Sequence, residues 1–286
     1  MYRDCDHLLN SQNIYTIRGN WSDSAELVLA KVVYEKNANM KRFCKVVDKH
    51  DANGEILLLL NPKDFRHISC KGIRLAEFQS DCIWERIARE LVSLGIDEAN
   101  IGIFGSGRLG FKAPKDVDFV IYGYENMVRV KDNIDLFKKR IGLYNHTFQH
   151  AQYQANTHGS FLSEERNNLL MCLIRKWSSC SLSENLTMTL RFVDDSRIDE
   201  DELKCFFMHR GNHEMTTFRG VVSGEDGTSF MPRRFFLTRY STTVEIVSPL
   251  WIFHQCVRDN DFVEVTGELI NSKIWVWRAE HGIKHL

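Results

Sequence analysis

The sequence predicts an α+β protein: a mixed sheet with flanking helices, preceded by a small N-terminal β unit and followed by a β-barrel-like C-terminal domain. Three observations carry this. Strand-like runs bounded by turn residues occupy the chain up to Asn61-Pro62. Through the middle, apolar residues at helical spacing alternate with short buried-strand runs. Beyond about residue 205 only short β segments separated by turn residues remain. The expected divisions are an N-terminal β-rich unit over 1–70, a core over 71–200 and a C-terminal β-rich domain over 201–286.

In order along the chain, Ile14 to Ile17, Ala25 to Tyr34, Arg42 to Val47 and Ile56 to Leu60 read as strands, the last two joined by the turn Asp51-Ala52-Asn53-Gly54. Leu75, Phe78, Ile83, Ile87, Leu91 and Leu94 fall on one helical face opposite Glu85, Arg86, Arg89 and Glu90, so a helix is expected over 75–94, stopped by Gly95. Asn100 to Phe104 reads as a buried strand running into a glycine-rich turn, and Val117 to Tyr122 as a second strand ended by Gly123. Helices are expected over 132–141 and 164–177, then a strand over Thr187 to Val193. The C-terminal strands are expected at 218–222, 235–238, 243–247, 262–267 and 274–277, with a hairpin-type connection at Ser223 to Gly227.

Composition narrows the function classes. With 286 residues, 43% hydrophobic and 26% charged, the chain can bury a full core, as one large domain or two to three small ones. A formal net charge of -1 excludes a protein that coats nucleic acid non-specifically, so any nucleic-acid contact must be local. The run Ile56 to Leu60 is far short of the about 20 apolar residues a membrane span requires. Met1 to His7 carries acids where a secretory signal has a basic head and an apolar core, so a cytoplasmic protein with no membrane contact is expected. The eight cysteines form no Cys-x-x-Cys pair, which points to reduced, mostly buried thiols rather than a zinc ribbon or a disulfide framework.

The chemistry is concentrated in Ile103 to Ile121, where a buried strand, the turn Gly105-Ser106, a short loop with Gly110, and a strand opening on Asp116-Val117-Asp118 follow one another. Residues two apart on a strand point to the same side, so Asp116 and Asp118 present both carboxylates to one point while Val117 and Phe119 enter the core. Two hard carboxylates suit Mg²⁺, or Mn²⁺ in its place, with substrate phosphate oxygens completing the shell. Gly105 lets backbone N–H groups approach phosphate, and the Ser106 hydroxyl donates to the same oxygens. The two halves converge on a nucleoside triphosphate, ribo- or deoxyribo-.

This stretch resembles the polymerase-β nucleotidyltransferase superfamily, whose motif of apolar strand, Gly-Ser, a loop with a further glycine and Asp-x-Asp is met by Gly105, Ser106, Gly110, Asp116 and Asp118. The wider layout is similar to prokaryotic nucleotidyltransferase-domain proteins, through Arg175-Lys176-Trp177, Phe230-Met231-Pro232 and Val265-Thr266-Gly267. The resemblance implies a polymerase-β-like core, metals on Asp116 and Asp118, and transfer of a nucleoside monophosphate with loss of pyrophosphate. By the same analogy the acceptor is an oligonucleotide or nucleic-acid 3′ end extended without a template, with a protein hydroxyl or a small molecule as alternatives, and the setting includes anti-phage and toxin–antitoxin systems with a protein partner encoded nearby.

One departure stands out. Family members that are active usually carry a third carboxylate within a later strand, and here that strand shows Thr187, Thr189 and Arg191 on one face. Asp194, just past its end, is the preferred third acid. The alternatives are that Asp194 and Asp195 are turn residues and that the third ligand is absent or comes from Glu164 or Glu165. Arg108, Lys112 and Lys115 are candidates to neutralise triphosphate charge, or else solvated loop cations. Arg175 and Lys176 are candidate phosphate contacts or plain surface charge. His209 and His213 lack a third ligand and flank Gly211-Asn212, which argues against zinc. The segment Met231 to Phe236 with Arg239 and Tyr240 mixes basic and aromatic residues as single-strand-binding surfaces do, although alternation of core and surface explains it more simply. Trp251, Trp275 and Trp277 read as core. The rival class is a non-catalytic nucleotide or nucleic-acid binding module, such as an antitoxin-like partner.

Overall fold

The computed structural model describes residues 1–37, 42–45, 57–79, 82–109, 116–145, 148–149, 151–152, 170, 173–183, 186–250, 253–277 and 281–286. The architecture is mixed α+β. It divides into two compact units, one comprising Met1–Ile68, Phe148–Lys176 and Ile198–Leu286, the other Ser69–Thr147 and Trp177–Arg197.

In the first unit, β1 (His7–Leu9), β2 (Asn13–Ile17), β3 (Val28–Asn37), β4 (Arg42–Lys45), β5 (Leu57–Leu60) and β6 (Arg66–Ile68) form one antiparallel sheet in the order β4-β3-β2-β1-β6, with β5 also on β3. Its core is Leu8, Ile17, Trp21, Val28 and Leu29, all fully buried. The expected turn at 51–54 lies outside the described residues.

The second unit is built on a five-stranded sheet. The single helix expected over 75–94 is instead a 3-10 turn at Leu75–Glu77 followed by α1 (Ile83–Ser93). Phe78 leaves helical geometry at φ -79°, ψ 146°, and Cys82, also extended, starts α1 afresh, its Sγ accepting from the Glu85 N–H at 3.4 Å. Gly95 ends the helix region at φ +84°. Then follow β7 (Ile101–Ile103), α2 (Gly105–Arg108), β8 (Asp116–Tyr122), α3 (Tyr124–Asp132), α4 (Ile134–Ile141), β9 (Tyr144–Asn145), β10 (Ser179–Ser183) and β11 (Leu186–Val193). The sheet order is β7-β8-β11-β10-β9, with β8 and β11 parallel and the other pairs antiparallel. Of the helix expected over 164–177, most lies outside the described residues, and 173–175 are helical. Helix α3 escapes the periodicity because only Met127 and Val130 are buried along it.

The C-terminal strands belong to the first unit. After α5 (Glu200–His209) come β12 (Met215–Ser223), β13 (Arg233–Arg239), β14 (Thr242–Ser248), β15 (Phe262–Ile270), β16 (Lys273–Trp275) and β17 (Gly282–His285). Pairing of β12 with both β13 and β15 closes β12-β13-β14-β16-β15 into a five-stranded barrel, and β17 adds to β15. Leu237, Ile246, Val263 and Val265, fully buried, fill it, each alternating with outward residues as strand geometry requires. Helix α5 serves two cores of this unit: Leu203 joins the N-terminal sheet's, and Phe206 stacks on Trp275 at 4.3 Å. The described cysteines Cys5, Cys70, Cys82, Cys180, Cys205 and Cys256 are free thiols, most of them buried.

Candidate active site

The site grows from the start of β8. Asp116 and Asp118 are half-buried while Val117 and Phe119 are buried, so the period-two alternation places both carboxylates on one face. Strand β7 runs along one edge of β8, with Ile103 opposite Phe119, and the Phe104 N–H donates to the Asp118 carbonyl oxygen at 3.2 Å. That bond sets the short helix α2 directly beside the acids. The Ser106 hydroxyl donates to Asp116 Oδ1 at 3.4 Å.

Glycine is required in this turn for two separate reasons. Gly105 has φ +63°, a left-handed conformation that disfavours side chains, and a Cβ there would lie 3.0 Å from Asp118 Oδ2. At Gly107 a Cβ would meet the Trp84 ring at 2.5 Å. Trp84 in turn lies 5.3 Å from the Phe119 ring, so one side chain of α1 braces both α2 and β8. The turn is thus held against the acid face, with Gly105 close beside Asp118. The side chains brought together here are two carboxylates and a hydroxyl, oxygen donors of the kind a hard divalent cation takes.

On the other edge of β8, β11 runs parallel in the register Thr187 with Asp116, Thr189 with Asp118 and Arg191 with Val120. The residues facing the two acids are therefore threonines. Val193 pairs with Tyr122, four residues beyond Asp118, so Asp194 lies more than about 13 Å along the sheet from the site. There it accepts from the Ser196 N–H and hydroxyl, as an ordinary turn residue does. The expectation that Asp194 is the third acid is thereby corrected: the strand runs its full length to Val193, carrying Asp194 away from Asp116. Asp195 is ion-paired with Lys71 at the same distant end. Among the described residues, no group of three or more His, Cys, Asp or Glu is placed to hold a metal ion. Glu164 and Glu165 lie outside them.

The remaining candidates divide. Arg108 is exposed, and its Nε donates to the Ser69 carbonyl at 2.9 Å rather than reaching across the acids. Gly110, Lys112 and Lys115 lie outside the described residues. Arg175 is ion-paired with Asp261, and Arg234 with Glu202 and Glu245, all within the larger unit. In the basic and aromatic segment, Arg233 and Phe235 are buried and Phe236 faces outward, the alternation of core and surface. His209 closes α5 and bonds the Cys205 carbonyl at 2.7 Å. Trp275 is core, as expected, and Trp251 lies outside the described residues.

One residue of the acid face was missed as a functional candidate. The Arg191 guanidinium carbon lies 4.4 Å from the centre of the Phe104 ring. Its only signal in the sequence was its place in the alternation after Thr187 and Thr189. Compared with known proteins, the chain matches no family model, no curated protein and no solved structure.

Proposed function

We propose that this protein is a metal-dependent nucleotidyltransferase that moves a nucleoside monophosphate from a ribo- or deoxyribonucleoside triphosphate to an acceptor hydroxyl. The observation that carries the reading is the convergence of Asp116, Asp118, Ser106 and the left-handed Gly105 on one face at the start of β8. Asp116 and Asp118 would hold Mg²⁺ or Mn²⁺, which supplies charge neutralisation and polarisation of the phosphoryl oxygens when bound. The Ser106 hydroxyl, whose one proton goes to Asp116 Oδ1 here, would turn that proton to a phosphate oxygen once a cation takes the carboxylate. Gly105, with no side chain, lets the turn and its backbone N–H groups lie close against Asp118, where the triphosphate would bind. The strand–turn–strand resemblance to the polymerase-β superfamily supports the same chemistry, and by that analogy the acceptor is an oligonucleotide end extended without a template, in a defence setting.

The test is incubation of the whole chain with each α-labelled nucleoside triphosphate and Mg²⁺ or Mn²⁺, with and without RNA or single-stranded DNA, beside Asp116→Ala/Asp118→Ala. Label transferred to nucleic acid, to a ladder of oligomers or to protein, and absent in the variant, supports the reading and names the acceptor. A second reading, a nucleotide-binding module without turnover, is favoured by the threonines opposite both acids. It predicts metal-dependent nucleotide binding with no label moved.

A further inference from the structure

We infer that the acid face takes one divalent cation rather than two, and that Arg191 supplies, beside Asp118, the positive charge a second cation would bring to the triphosphate. This rests on the nucleotide-binding reading above. Its basis is the order of residues across the sheet. Asp118, Thr189, Val120 and Arg191 share one face through the parallel register of β8 and β11. Phe104 lies on the opposite edge of β8, bonded to the Asp118 carbonyl. Since the Arg191 guanidinium sits over the Phe104 ring, its side chain crosses β8 on the acid face, next to Asp118. A guanidinium so placed is held against the ring by cation–π attraction.

Charge then decides the metal count. Two divalent cations held about 4 Å apart repel one another and need a surplus of carboxylates to bind together. Here two carboxylates face two threonines and an arginine, leaving a single net negative charge among the described residues of the face. That balance suits one cation. A planar guanidinium with several fixed donors is suited to the phosphate oxygens that a second cation would otherwise bridge. Arg191 is in this view a binding residue for the triphosphate and a brake on the second metal.

The experiment is a Mn²⁺ titration of the whole chain followed by electron paramagnetic resonance, alone and with a saturating α,β-methylene nucleoside triphosphate, for wild type, Arg191→Ala, Arg191→Lys and Thr189→Asp. Wild type is expected to hold one Mn²⁺ per nucleotide-bound chain, and Thr189→Asp to take up a second. Arg191→Ala is expected to weaken the nucleotide about tenfold while tightening Mn²⁺ binding without nucleotide, as removal of a like charge next to the ligand demands. Arg191→Lys, which keeps the charge, should stay near wild type in the metal titration. A merely structural arginine would weaken both ligands together. Two Mn²⁺ on nucleotide-bound wild type, or unchanged affinities in Arg191→Ala, overturn the inference and leave the nucleotide site standing. Failure of wild type to bind either ligand overturns both.

Discussion

At the scale of single residues, Gly105 and Asp116 separate two kinds of constraint. Gly105 is demanded by backbone and space together, since φ +63° disfavours any side chain and a Cβ would press on Asp118 Oδ2. Gly105→Ala is expected to cost about 1–2 kcal/mol of stability from the left-handed backbone and to weaken Mn²⁺ binding as well. Urea unfolding with and without Mn²⁺ measures both, and an unchanged metal dependence would show that the turn does not shape the site. Asp116 carries no such backbone demand, and under the proposed function its carboxylate is needed for the cation. Asp116→Asn should abolish metal-dependent transfer, with a loss on the order of a thousandfold, because one neutral amide breaks the carboxylate pair. Asp194→Asn should leave transfer within about twofold, since Asp194 sits at the far end of β11 in a turn with Ser196. Equal losses in the two variants would contradict the site as drawn. The pairing of Asp116 with Asp118 on one face was legible in the sequence because it needs only the strand's own period. The placement of Arg191 was not, because it depends on the register between two strands that are distant in the chain.

At the scale of elements, local periodicity located most strands of the three sheets, and it failed where local signals conflict with caps. The 75–94 stripe is continuous in sequence, yet Cys82 restarts the helix, because its side chain satisfies the Glu85 N–H. Helix α5 was not foreseen: its first turn carries Glu200, Asp201 and Glu202, and its buried positions are few, Leu203 and Phe206. Those acids matter through their partners. Glu202 and Glu245 both pair with Arg234 and Lys273, joining α5 to β13, β14 and β16. Burial pushes the Glu245 carboxyl up, but hydrogen bonds and charge from Lys273 and Arg234 outweigh it and hold the group below the ordinary value of 4.5. A depressed carboxyl stabilises the fold at pH values above that ordinary value, and the stability is lost as pH falls through the folded value. The urea midpoint is therefore expected to fall as pH drops below about 4.5, and Glu245→Gln should flatten that part of the profile. An identical slope in the variant would mean the network contributes nothing.

At the scale of the whole molecule, the chain order and the compact units do not coincide. The site-bearing unit is made of Ser69–Thr147 and Trp177–Arg197, while the N-terminal sheet, α5 and the barrel belong to the other. Composition suggested the three kinds of segment in order, but only packing of Leu203 and Phe206 reveals which of them share a unit. A ligand bound on β8 and α2 should therefore stabilise one unit selectively. With nucleotide and Mn²⁺ at about a hundred times their dissociation constant, linkage adds about 2.7 kcal/mol to the state that binds them. Amides that exchange through opening of that unit, in β7, α2, β8 and β11, should slow by about a hundredfold, whereas those of β12 to β16 keep their rates. Hydrogen–deuterium exchange followed by mass spectrometry reads both sets in one experiment. Protection confined to the barrel would move the nucleotide site away from Asp116 and Asp118. Equal protection of both units would show that they open together, so that a cation at two aspartates governs the stability of strands that never touch it.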